Sequence, residues 1–167
     1  MKKYKKTLLI TFFSAVFLIA IGLITIFILA REPVSRKETE AIQIAKGEAK
    51  LAEVLETNWF HYNDSYIVVE GKMDDGTNTI VFVPDSDEEE LVIVNKDEGI
   101  SLDEAVQLLV NELDISSDKR PKEIIGGKFG LVERMPVYEI TYIDKKGRHS
   151  IIYIDFYEGE WFRVFNL

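Results

Sequence analysis

The chain has 167 residues, with 20 Lys and Arg against 29 Asp and Glu, a formal net charge of -9, two His and no Cys. Without thiols there is no disulfide framework, no thiolate metal site, no Cys nucleophile and no Cys-linked lipid. An acidic balance also argues against a nucleic-acid surface, which needs clustered Lys and Arg to displace counterions.

The first predicted element is a membrane span. Residues 7–30, TLLITFFSAVFLIAIGLITIFILA, hold no charged side chain. A helix of that length reaches roughly 36 Å, enough to cross a hydrocarbon core of about 30 Å with some tilt. A cleaved signal peptide would have a shorter apolar stretch and a small-x-small end, which Ile28-Leu29-Ala30 matches poorly. Lys2, Lys3, Lys5 and Lys6 precede the span, whereas Arg31 and Glu32 cancel beyond it, so residues 1–6 are expected in the cytoplasm and everything after Ala30 outside. Thr7, Thr11, Ser14, Gly22 and Thr25 fall on one stripe of this helix, a candidate face for a partner's transmembrane helix. With four Lys and no acid up to residue 30, the exterior holds 16 basic and 29 acidic groups, net -13.

The exterior reads as one unit written twice, 31–99 and 100–167. Glu40-Ala41-Ile42-Gln43-Ile44 aligns with Glu104-Ala105-Val106-Gln107-Leu108, and Thr79-Ile80-Val81-Phe82-Val83 with Ser150-Ile151-Ile152-Tyr153-Ile154. Ser35-x-x-Glu38 and Ser101-x-x-Glu104 both have the capping-box form of a helix start. Helix-spaced apolar residues follow each: Ala41, Ile42, Ala45, Ala49 and Ala52, then Leu102, Ala105, Val106, Leu109, Val110 and Leu113. In the first unit, strands are expected at 66–71 and 78–83 around Asp74-Asp75-Gly76-Thr77, at 91–95, and at 59–62. In the second, 137–143 and 149–156 flank Asp144-Lys145-Lys146-Gly147, 161–165 closes the sheet, and 122–133 adds a strand bent at its glycines. The expected fold class is therefore α+β: a transmembrane helix, then two tandem units, each a helix packed on a three- to four-stranded antiparallel sheet. Each unit is near the size where a lone core is marginal, so the two are expected to pack on each other or to share a linker, 96–100, too short for free motion.

No residue set announces chemistry. His61 and His149 are too few for a metal cluster, and no nucleophile or phosphate-loop motif occurs. The acidic run 85–90 lacks the Gly and Glu positions of a calcium loop and reads as a solvated turn. No enzyme activity, cofactor or metal is expected. A candidate binding surface lies among the aromatics of the second unit, with Tyr138, Tyr142, Tyr157 and Trp161 offered to solvent on the sheet face the helix leaves open.

The helix opening Ser101-Leu102-Asp103-Glu104-Ala105, the hairpin Val137-Tyr138-Glu139-Ile140 to Ile151-Ile152-Tyr153-Ile154-Asp155, and Glu158-Gly159-Glu160-Trp161 resemble a PepSY domain. The first unit departs from that pattern, with Pro84 where the second has Asp155. Over its whole length, a Lys-rich start, one span and two such PepSY-like, cystatin-like units, the chain resembles the TseB-like (YpmB) family of single-pass proteins from Gram-positive bacteria. The resemblance implies a membrane-anchored, extracytoplasmic accessory protein that binds and assists a cell-wall synthase of the penicillin-binding type during elongation. It would act by protein contact, with no small-molecule substrate and no nucleic acid. A PepSY-type modulator of an extracytoplasmic peptidase is the alternative.

Overall fold

One helix, α1, runs from Lys2 to Gly47, its apolar stretch followed by a charged one, with Gly22 and Pro33 within it. The computed structural model describes residues 2–86, 89–111 and 115–166; within α1 it describes the side chains of Tyr4, of 12–27 and from Val34 onward. The chain divides into two compact units, Met1–Glu40 and Ala41–Leu167. In the first, Phe12, Phe13, Phe17, Leu23 and Phe27 all stand exposed along the helix. Among the described residues, no helix is long and apolar enough to cross a membrane. Ser35 is not a helix start as its motif suggested, because α1 is already running there; its carbonyl instead accepts a bond of 2.8 Å from the Thr39 hydroxyl.

In the second unit the last turns of α1 bury Ala41 and Ala45. The helix ends earlier than its apolar spacing implied, since Lys50 adopts a left-handed φ of 57° and turns the chain into β1 (Leu51–His61), which takes in Ala52. β1 is followed by β2 (Ser65–Met73), β3 (Asn78–Pro84) and β4 (Val92–Asn95), paired antiparallel in that order. Continuous burial runs through Tyr66, Ile67, Val68 and Val69 of β2 and Thr79 to Val83 of β3, the pattern of a sheet covered on both faces. Ile67, Val69, Val81 and Val83 share one core with Ala41, Ala45, Ala49 and Leu51. Tyr66, Val68, Ile80, Phe82 and Val94 belong to a second, larger core.

That larger core is shared with the second half of the chain. After a single 3-10 turn (Lys96–Glu98) come α2 (Leu102–Asn111) and a second antiparallel sheet, β5 (Pro121–Val132), β6 (Met135–Asp144), β7 (His149–Asp155) and β8 (Trp161–Asn166), in that order. Ala105 and Leu109 of α2 join Tyr138, Ile140, Tyr142, Ile152 and Ile154 in it. On the other side of the same sheet, the Phe60 and Tyr62 rings lie 6.3 and 5.2 Å from the Tyr153 ring. Lys128 bridges the sheets, donating to the Trp59 carbonyl at 2.9 Å while pairing with Glu139 at 3.3 Å. The two expected units are thus two sheets fused through one core. The glycine-bearing β5 has one of its two register shifts between Ile124 and Gly126, and Gly130 lies so close to Phe60 that a Cβ there would meet the ring at 2.2 Å.

The hairpin turns at Gly76 (φ 87°) and Gly147 (φ 81°) use glycine for positive φ. The β5–β6 hairpin does not: Glu133 and Arg134 hold φ of 50° and 65° between the paired residues Val132 and Met135. Such a two-residue turn favours Asn-Gly. The double substitution E133N/R134G is expected to stabilise the protein by about 1 kcal/mol, read as a higher urea midpoint at unchanged slope.

Candidate functional site

The seam between the sheets forms a cleft of about 600 Å³, walled by β1, β2, β5, Tyr138, the 3-10 turn and the first turn of α2. The first turn of α2 is built by its capping box. The Ser101 amide and hydroxyl donate to the Glu104 carboxylate at 2.7 and 2.8 Å, and the Glu104 amide donates back to Ser101 Oγ at 3.2 Å. The Ser101 amide and hydroxyl hold the Glu104 carboxyl below its usual range. The linker 96–100 is pinned rather than loose. Lys96 pairs with Glu70 at 2.6 Å and lies 5.2 Å from the Phe129 ring centre. The Ile100 amide donates to the Phe156 carbonyl at 2.9 Å, and the Tyr138 hydroxyl donates to the Ile100 carbonyl at 2.8 Å. At Gly99 a Cβ would stand 2.4 Å from the Phe156 ring, so the backbone passes in direct contact with that ring.

Electrostatically the cleft is acidic: Glu56, Glu70, Asp97, Asp103 and Glu104 line it against Lys96 and Lys128. Its polar groups hold the fold, since Ser101 and Glu104 cap a helix, Glu70 and Lys96 tie a strand to the linker, and Tyr138 anchors that linker. Burial, reinforced by the Glu70 and Glu104 carboxylates, pushes the Tyr138 hydroxyl well above its ordinary pKa, so it stays a neutral donor.

Tyr138 and Tyr142 are not the solvent-facing aromatics the sequence suggested; they are 1% and 0% exposed. Strand alternation places both on the face of β6 that shares its core with α2, where alternation alone could not say which face the helix takes. Tyr157 and Trp161 are 45% and 36% exposed. Their neighbours in β8 are exposed as well: Phe162 and Phe165 are each 39% exposed, and Phe162 stacks on Tyr153 with centroids 5.9 Å apart. Arg163 donates to the Tyr62 hydroxyl and lies over the Tyr62 and Phe165 rings. The signal that could have found this patch is the adjacency of Trp161 and Phe162, since neighbours in a strand point to opposite faces and one helix cannot cover both.

Ser14, Gly22 and Thr25 of the proposed helix stripe occupy exposed positions on α1. The Thr25 hydroxyl donates to the Ile21 carbonyl at 2.9 Å, and nothing lies within 4 Å of a Cβ built at Gly22. The side chains of Thr7 and Thr11 lie outside those described. In the acidic run, Asp87 and Glu88 also lie outside the described residues, and Glu89 accepts a bond of 2.6 Å from the Tyr66 hydroxyl. His61 Nδ1 is 2.8 Å from the Ser65 hydroxyl, and His149 is exposed at the start of β7. Among the described residues, no group of three or more His, Cys, Asp or Glu could hold a metal ion.

The two Asp-bearing turns of the second sheet have local work. Asp155 accepts from the Tyr157 and Glu158 amides at 2.8 and 2.6 Å. Asp144 accepts from the Lys146 and Arg148 amides and from the Arg148 guanidinium, and these bonds hold its carboxyl below the usual range although its burial pulls the other way. Asp118, bonded to Lys146 at 2.7 Å, is lowered to about 2. Carboxyls depressed in the folded state stabilise it fully above the ordinary aspartate range, and that contribution is lost as pH falls through the folded value. The melting temperature is therefore expected to fall from about pH 4 towards pH 2, and D118N is expected to flatten that part of the profile.

This architecture defines the class: an α+β protein with helices packed on two antiparallel sheets. Residues 40–84 match the family model described as the cell wall elongation regulator TseB-like domain. The chain is 30% identical over 158 residues to the "Probable cell wall elongation regulator TseB" of Bacillus subtilis (strain 168), spanning 93% of this chain and 94% of that one. Its fold matches the solved structure of the YpmB protein from Bacillus subtilis with a TM-score of 0.70 at 27% identity, over 77% of this chain and 96% of that one. The chain belongs to the TseB-like family of cell wall elongation regulators.

Proposed function

We propose that the protein is a single-pass membrane protein whose extracytoplasmic part binds and assists a penicillin-binding-type synthase in cell wall elongation, by contact rather than by catalysis. The observation that carries this reading is the similarity to a probable cell wall elongation regulator over 93% of the chain. The structure adds support: in the seam cleft Ser101, Glu104, Glu70, Lys96 and Tyr138 are engaged in holding the fold. In this reading, residues 1–6 form the cytoplasmic tail, 7–30 the anchor, and 31–99 and 100–167 two PepSY-like halves. Thr11, Ser14, Gly22 and Thr25 offer a face to a partner's transmembrane helix.

Crosslinking in intact cells, followed by identification of the captured protein, tests the partner. Recovery of a synthase supports the proposal, and recovery of an extracytoplasmic peptidase in its place overturns it in favour of a peptidase modulator. Replacing Ser14 and Gly22 together with Leu is expected to weaken that capture if the span takes part, and unchanged capture removes the helix face from the proposal. Digestion of intact cells by an external protease is expected to remove the domain and leave the N-terminal tail protected.

A further inference from the structure

Among the described residues four strands form the outer edges of the two sheets, and each carries some device that discourages pairing with another chain. β1 has two register shifts and exposes Glu53 and Glu56. β4 is only four residues long. β5 begins at Pro121, exposes Lys122 and Glu123, and has two register shifts. Such charges, bulges, prolines and short lengths are how natural sheets blunt their edges. β8 differs in degree. Its pairing with β7 has one register shift, between Tyr153 and Ile154, but it carries a single charge, Arg163, and no proline; it exposes Trp161, Phe162 and Phe165; and among the described residues it pairs with β7 alone. Arg163 is turned onto Tyr62 through its hydrogen bond and ring contact, away from the role of an edge guard.

We infer that the outer edge of β8 receives an extended segment of another protein, with alternating apolar and basic residues, as a fifth strand of the second sheet. Backbone pairing supplies the register, and the aromatic rings on β8 give the incoming apolar side chains a surface on which to pack. The preference for basic residues follows from charge. Glu158 and Glu160 stand exposed immediately before β8, and the chain beyond residue 30 is net -13. The same charge opposes a second copy of this chain at the edge, because two such exteriors repel. The inference goes beyond the proposed function and does not depend on which protein the partner is, since its test reads the edge itself.

The test uses the full chain in detergent with three synthetic peptides: Lys-Val-Lys-Val-Lys-Val-Lys, its Glu-for-Lys counterpart, and the Lys peptide with alternate backbone nitrogens methylated. Amide hydrogen exchange in 161–166 is the readout. The Lys peptide is expected to slow exchange there by about tenfold or more, while the Glu and N-methylated peptides leave it within about twofold. Equal protection by all three peptides, or none from the Lys peptide at millimolar concentration, overturns the proposal. So does protection that appears without peptide and grows with protein concentration, which would make the occupant a second copy. The exposed pair E158K/E160K is expected to weaken Lys-peptide binding about tenfold or more with the melting temperature kept; unchanged affinity in that variant overturns the charge complementarity.

Discussion

Phe60→Ala is expected to destabilise the protein by about 3–5 kcal/mol and to loosen both sheets together. Phe60 is fully buried in the larger core, its ring lies against Tyr153, and Gly130 of β5 approaches it with no room for a Cβ. Truncation therefore opens a void between the sheets rather than inside one. The chain carries its own reporters, because its two tryptophans divide between the sheets, Trp59 in β1 and Trp161 in β8. In urea, W59F and W161F leave one reporter each. If the sheets are one cooperative unit, the two transitions coincide and Phe60→Ala moves both midpoints equally. A shift confined to the Trp59 signal would show that the sheets unfold separately.

Gly71→Ala is the second large effect. A Cβ at Gly71 would stand 2.1 Å from the Glu53 carbonyl oxygen, opposite the irregular stretch of β1. Neither atom is at the end of a flexible side chain, so the strands themselves must separate. A cost of about 3 kcal/mol is expected, at the upper end for overpacking. Thermal melting checks it, and a drop no larger than that of an exposed-site control such as K72A would show that the bulge absorbs the methyl group.

Much of this fold is legible in the sequence because its signals are local. The Ser101 capping box, the glycine turns at 76 and 147, and the strand runs of β2, β3, β6 and β7 each depend on neighbours within a few positions. Where tertiary context decides, the sequence reading departs from the structure. Ser35 has a capping motif inside a helix that had already begun, and Ala52 keeps helical spacing beyond a turn set by Lys50. The Glu133-Arg134 turn uses residues that announce no turn at all. Tyr138 and Tyr142 alternate correctly within β6, but which face α2 covers is a fact of three dimensions. The aromatic edge at β8 is half visible: the rings at 161, 162 and 165 stand in the sequence, but neither periodicity nor composition tells an outer strand from an inner one, so which rings stay exposed is not legible there.

β2 and β3 are buried on both sides, by the end of α1 and by the larger core. The two inner strands of the first sheet consequently have little face to lend to a partner, and contact with this half of the protein falls to its outer strands β1 and β4, where Leu55 and Ile93 are exposed, and to its loops. Substitution is constrained in the same pattern. Interior positions of β2 and β3 answer to one packing layer or the other, leaving the loops between them as the ground on which related chains can diverge in what they recognise while keeping the same scaffold.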